Sequence, residues 1–414
     1  MSRKSLMLAT GVILLVSLTL TPLGINAETQ KTFKLTVIDP ENVGMSTEVR
    51  EKMEDARGQA IRSDFNFDIV NEVATEKYLP SNAFAFNSKK LSSTTKDKIK
   101  KMLEYGYPIY LYHKLNRKEA NEIFGQELFV LPDKERLHQE LSSKGYSGEK
   151  LEQLVEEELE KINQTFDVIG AYKNSEGKIV PVLATINTDD GNLDLAKYLH
   201  VILSHINDKF LADSSLVITN GDFGEGTSVD NSLNHWSESY IGGDLVASIN
   251  MDYYLGRDLD EQVEDYDHFA LQDHMEFETF NGAEPVLMFI EHDLPFAGCS
   301  YEPCDNIIDW DPKSTTSSDT FSISLPWGIS WSFNTNDDVD VSTIGSQTND
   351  YVRWEFTEAR TWSNYLHNPE RVTPGNAWVS TGTYAGIDIE NRAYFEYDSQ
   401  TYSIQNYYDY RYDY

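Results

Sequence analysis

Residues 321–333, FSISLPWGISWSF, constrain this chain more than any other stretch. Phe321, Ile323, Leu325, Trp327, Ile329, Trp331 and Phe333 take every odd position, and Ser322, Ser324, Pro326, Gly328, Ser330 and Ser332 take every even one. Successive strand residues point to opposite faces, so the pattern predicts β-structure with one apolar face and one small, wettable face. Weaker alternation recurs through the C-terminal half, at Leu245, Ala247, Ile249, Met251 and Tyr253, and again at Val352, Trp354 and Phe356. Between 268 and 279, Phe269, Leu271, Met275 and Phe277 share one face, with His268, His274, Glu276 and Glu278 on the other. Residues 286–290, VLMFI, form a continuous apolar run suited to a buried strand. Short strands separated by turn residues predict a sandwich-like all-β domain.

The N-terminal half reads differently. Phe33, Leu35 and Val37 mark a first strand that Pro40 ends, Ser46-Thr47 opens a charged helix, and residues 67–73 form a second strand. A helix over 94–105 stops at Gly106, the usual left-handed cap position, and the apolar strand PIYLYH follows it. A helix pair over 133–143 and 148–165 comes next, then two strands joined by Asn174-Ser175-Glu176-Gly177, a hairpin signal. Pro181 pushes the second of these strands toward a sheet edge. A last helix spans 193–209. Strands alternating with helices predict an α/β layer. The expected fold is therefore a two-domain α+β chain, an N-terminal α/β domain followed by an all-β, sandwich-like C-terminal domain. The divisions are a signal peptide at 1–27, the α/β domain at 28–218, a Gly-, Asp- and Ser-rich linker at 219–234, and an acidic, Trp/Tyr-rich all-β domain at 235–414.

The signal peptide rests on Arg3 and Lys4, an apolar run from Leu6 to Leu20, and Ala27 at the cut. That run is shorter than the ~20 residues a transmembrane helix needs, so the expected location is secreted and extracellular. Residues 28–215 hold 25 Lys+Arg and 32 Asp+Glu, a net of −7, whereas residues 216–414 hold 7 and 36, a net of −29, with all seven tryptophans. Such a bias opposes nucleic acid as a partner and is compatible with calcium. Cys299 and Cys304, in GCSYEPC, are expected to form a disulfide in a secreted chain.

No Gly-rich phosphate loop, HExxH or Gly-x-Ser-x-Gly motif occurs. His200 and His205 are five apart on a helix and cannot jointly grip a metal. Of the acidic run RDLDEQVEDYD, Asp258, Asp260, Glu261 and Asp265 are the candidate calcium ligands, although no EF-hand spacing exists and a solvated acidic loop explains them as well. Tyr and Trp side chains, including the alternating tyrosines at the C-terminus, offer flat amphipathic faces for sugars, lipid headgroups or choline-like cations, or ordinary packing. Dispersed carboxylates nominate no hydrolase pair.

The order of segments after 305 resembles the leukocidin/haemolysin family of β-barrel pore-forming toxins. The resemblance rests on Ile307-Ile308-Asp309-Trp310-Asp311-Pro312-Lys313, the amphipathic stretch, Tyr351-Val352-Arg353-Trp354-Glu355-Phe356, then His367-Asn368-Pro369 and Gly375-Asn376. It implies a membrane- or cell-surface-acting protein in which Phe321, Ile323, Leu325, Trp327, Ile329, Trp331 and Phe333 contact the membrane. The departure is the stem. If Pro326-Trp327-Gly328 turns, each leg holds five residues, against the ~9–11 a crossing strand needs. Two functions follow: a secreted non-enzymatic protein with a toxin-like β-domain that does not necessarily form pores, or a secreted binding module for a carbohydrate, peptide or calcium. The sequence sets no oligomeric state.

Overall fold

The computed structural model describes residues 33–58, 65–72, 81–211, 227–258, 267–294, 305–313, 339–347, 350–360, 363–381 and 384–413. The chain opens with β1 (Phe33–Ile38), α1 (Ser46–Arg57), β2 (Phe65–Val70), β3 (Ala83–Asn87), α2 (Ser93–Glu104) and β4 (Ile109–Asn116). The Ser92 hydroxyl accepts the Thr95 N–H at 3.1 Å to start α2, and Gly106, at φ 87°, turns the chain back toward β4. β1, β2, β3 and β4 pair in parallel, as helical crossovers require. Three helices, α3 (Arg117–Phe124), α4 (Lys134–Ser143) and α5 (Gly148–Ile162), then separate β4 from its antiparallel neighbour β5 (Thr165–Lys173). β5 and β6 (Ile179–Thr188) form the expected hairpin, its turn held by the Asn174 side chain accepting from the Glu176 and Lys178 amides. α6 (Leu195–Ile206) ends in a π-helical turn at Asn207–Leu211.

The rest is strand: β7 (Thr227–Ile241), β8 (Asp244–Asp258), β9 (Asp267–Thr279), β10 (Glu284–Asp293), β11 (Asn306–Asp311), β12 (Val339–Ser346), β13 (Tyr351–Glu358), β14 (Glu370–Val372), β15 (Gly375–Ser380), β16 (Tyr384–Tyr397) and β17 (Gln400–Asp413). The N-terminal region thus mixes helices with strands and the C-terminal region is almost wholly β. Among the described residues twelve strands form one sheet, in the order β11-β15-β9-β8-β7-β6-β5-β4-β3-β1-β2 with β14 also on β9. Five more, β12-β13-β10-β16-β17, form a second sheet. Asp398 and Ser399, both at positive φ, make the tight β16–β17 turn.

Burial explains the layering. Ile249, Met251, Tyr253, Leu271, Met275 and Phe277 of the first sheet meet Met288, Ile290, Trp354, Phe356, Ile389 and Phe395 of the second in one apolar core. On the side that α1 and α6 cover, Leu35, Val37, Val49, Met53, Leu199, Ile202 and Trp236 form another, while α2 and α3 pack into the first. The sheets are also pinned by buried polar bonds. His292 bridges Asp273 at 2.8 Å and Asn376 at 2.7 Å, and the Asn391 amide donates to the Tyr253 hydroxyl at 2.6 Å.

Several expectations are corrected. Residues 227–234, the second half of the expected linker, belong to β7 and pair with β8, and from Asn234 onward β7 pairs with β6 as well, while 219–226 lie outside the described residues. Pro181 does not sit on an edge strand. It pairs with Ala171 of β5, and β7 joins the other side of β6 only from Val182 onward, so the missing N–H interrupts no ladder. The run at 286–290 is not buried throughout: Met288 and Ile290 face the core, whereas Val286, Leu287 and Phe289 are half-buried. The disulfide expected between Cys299 and Cys304 is also withdrawn. No disulfide joins any described residues, and both cysteines lie outside them. Among the described residues, Asp350 links Leu294 and Ile307: its carbonyl accepts from the Leu294 amide at 3.0 Å and its carboxylate from the Ile307 amide at 3.3 Å.

Arg117, at the start of α3, is a charge with almost no contact with solvent. It meets Asp409 of β17 at 2.6 Å with both side chains fully buried, donates to the Lys161 carbonyl at 2.9 Å, and lies over the Tyr408 ring. Arg117→Ala strands the Asp409 carboxylate without its partner. The expected loss is about 3–5 kcal/mol of unfolding free energy, checked by urea titration with an unchanged m-value.

Candidate binding surface on the second sheet

The outward face of the five-stranded sheet is built by alternation. In β10, Leu287, Phe289 and Glu291 point away from the core, because Met288, Ile290 and His292 fill it. Register then fixes their neighbours: Leu287 lies between Thr357 and Tyr394, Phe289 between Glu355 and Arg392, and Glu291 between Arg353 and Glu390. The Arg353 guanidinium sits 4.7 Å from the Phe289 ring centre and that of Arg392 sits 5.9 Å away, so the ring lies between two planar cations. Arg353 is held by Glu291 at 2.6 Å, and Arg392 is held by Glu390 and donates to the Tyr394 hydroxyl at 3.2 Å. Side-chain exposures of 38% for Arg353 and 33% for Arg392 place the cluster in contact with solvent. The result is an apolar strip, Leu287, Phe289 and Tyr394, flanked by donors and acceptors whose orientations are fixed by mutual pairing.

Charge on this half is arranged to leave no cation unpaired. All seven Lys and Arg residues after 216 form ion pairs: Arg257–Asp267, Lys313–Asp309, Arg353–Glu291, Arg360–Glu358, Arg371–Glu276, Arg392–Glu390 and Arg411 with Glu158 and Asp388. At the end of the face nearest the helices, Asp293 pairs in register with Asp388. Asp293 reaches solvent, yet desolvation by the protein crowded around its carboxyl, then the Asp388 and Glu291 carboxylates, push it up to about 7.

Polar groups elsewhere are internal. His200 bonds Glu238 at 2.8 Å, and His205 bonds the Tyr110 hydroxyl at 2.8 Å and Asn234 at 3.3 Å. Burial, then the nearby Lys209 charge, holds His205 down at about 3, so it stays neutral. Burial would depress the Lys209 ammonium, but the Asp252 and Asp208 carboxylates outweigh it and hold Lys209 well above the usual lysine range. His268 and His274 both lie in β9 and are buried. Among the described residues no three His, Cys, Asp or Glu side chains cluster to hold a metal, and no helix is long and apolar enough to cross a membrane.

Most residues singled out from the sequence fall elsewhere. Phe321, Ile323, Leu325, Trp327, Ile329, Trp331 and Phe333 lie outside the described residues, as do Asp260, Glu261 and Asp265, while Asp258 closes β8. Phe289, Arg353 and Arg392 were not singled out as a site by sequence reasoning. Their signal was present in VLMFI, where apolar residues occupy positions that a half-wet strand ordinarily gives to polar ones.

No family model matches the chain, and no curated protein does. Solved structures give a weak likeness at low identity. Clostridium perfringens delta-toxin is 11% identical over 47% of this chain and 91% of its own, with a TM-score of 0.24. The membrane-inserted form of the Clostridium perfringens NetB toxin gives 8%, 44%, 91% and 0.22. A cohesin module from a Clostridium perfringens family 33 glycoside hydrolase gives 10%, 34%, 84% and 0.21. The likeness to pore-forming toxins is therefore coarse, is shared with a module of another kind, and carries no argument about function.

Asp293 makes the face sensitive to pH. Its pKa is raised above the ordinary 3.8, so the fold favours the protonated form; stability is greatest below the unfolded value and falls as pH rises from about 4 through about 7. Asp293→Asn removes the ionisation. Thermal melts at a series of pH values are expected to show the variant gaining on the natural chain through that window, with the gain constant above about pH 8.

Proposed function

We propose that this protein is a secreted, non-enzymatic binding module and that the outer face of its second sheet takes a neutral carbohydrate. The observation behind this reading is Phe289 set in a half-buried apolar strip between two ion-paired guanidiniums. A sugar presents apolar C–H patches beside hydroxyls that donate and accept. The strip and the fixed Glu and Arg side chains match both kinds of surface without reorganising. An anionic ligand is disfavoured twice, by the net charge of −29 on residues 216–414 and by the carboxylate already on each arginine of the face.

Calcium enters as an accessory ligand of the 258–265 region, and a melting temperature unchanged by calcium or chelator would remove it. The test of the main reading is a neutral-glycan array followed by titration calorimetry with the full mature chain. Phe289→Ala is expected to weaken binding by about thirtyfold, with the circular dichroism spectrum unchanged. An array without a neutral-glycan signal, or a hit indifferent to Phe289→Ala, would contradict it. Flotation on neutral liposomes lost in the same variant would instead assign the face to a membrane surface.

A further inference from the structure

The helix pair α4–α5 is inserted between two neighbouring strands, and its apolar residues build a core of their own. Leu137, Leu141, Leu151, Val155 and Ile162 pack on each other, separate from the core between the sheets. Half-buried Leu131, just before α4, touches both cores. The pair is fastened to the C-terminal strands by charge. Lys144, at the end of α4, meets Asp305 at 2.8 Å; Glu158 of α5 meets Arg411 at 2.7 Å; Lys161 meets Asp388 at 2.6 Å. The first two bridges are almost wholly excluded from solvent, with side-chain exposures of 3% and 5%, and 3% and 1%.

Buried ion pairs fix geometry strongly but contribute little net stability, because desolvation offsets most of their attraction. A body with its own core, held by such bridges, can separate without exposing the main core. We propose that α4–α5 is a clasp, hinged near Leu131 and Asn163, that lifts from the C-terminal strands as a unit while both sheets stay folded. The clasp closes over Asp388 and Arg411, one end of the second sheet's outer face. Lifting it uncovers Asp388 beside the already exposed Asp293, next to the rung that carries Glu291 and Glu390. The motion stands apart from the identity of any ligand.

Hydrogen exchange by mass spectrometry on the full chain tests this. Amides of 134–162 are expected to exchange together, well ahead of those in β5, β6, β16 and β17. Glu158→Gln breaks the most buried of the three bridges that fasten the helix pair and is expected to speed that block by about a hundredfold, with the strands unchanged. Should this variant not fold, Lys161→Met, at a bridge partly open to water, is expected to speed the same block several-fold. Exchange of 134–162 at the pace of the strands would overturn the proposal. So would a variant that speeds helices and strands alike.

Discussion

Seven consecutive residue pairs, from Val182 with Asn234 to Thr188 with Tyr240, join β6 to β7 in parallel, and the rest of the architecture depends on them. Without this seam the helix-bearing strands and the acidic strands would be separate sheets. With it, twelve strands share one ladder, and α6 crosses over from β6 to β7 as a parallel connection requires. Leu199, Ile202 and Ile206 of that helix bury against the sheet beside Val182, Ala184 and Trp236. The opposite side of β8 and β9 then needs its own cover, and the second sheet supplies it with Met288, Trp354 and Phe356. That sheet is spent on one face only, which leaves Leu287, Phe289 and Tyr394 toward solvent.

The second constraint is charge. A half with 7 basic and 36 acidic residues repels itself unless its cations are placed where they act on several carboxylates. Arg411 does this, meeting Glu158 and Asp388 together, and Lys161 of the helical insertion meets the same two residues. Arg117 and Lys144 bring further cations from the more basic half to Asp409 and Asp305. The N-terminal half thus supplies positive charge that its partner lacks, and the contact between them is specific because the Arg117–Asp409 and Lys144–Asp305 bridges are almost wholly buried.

Much of the fold was legible as periodicity. The alternation at Leu245–Tyr253 and Phe269–Phe277 became β8 and β9, Gly106 ended α2, and Asn174 to Gly177 turned the β5–β6 hairpin. What escaped was non-local. Glycine, aspartate and serine at 219–234 read as a linker because local composition carries no record of a strand partner, yet Asn234 is buried between β6 and β8. Pro181 read as an edge signal because nothing local says where the neighbouring strand begins. The candidate face was hidden for the same reason: Phe289, Arg353 and Arg392 are far apart in sequence, and only the order β13-β10-β16 sets them side by side.

If the β6–β7 seam makes one body of the two halves, they unfold together. The seven tryptophans all follow residue 216 and report on the acidic half, while amide exchange in β1, β3 and β4 reports on the other. Guanidinium titration followed by both probes on one sample is the measurement to make. Coincident midpoints are the predicted result for a single cooperative sheet. Two separated midpoints, with the tryptophan transition intact after β1, β3 and β4 have exchanged, would contradict it.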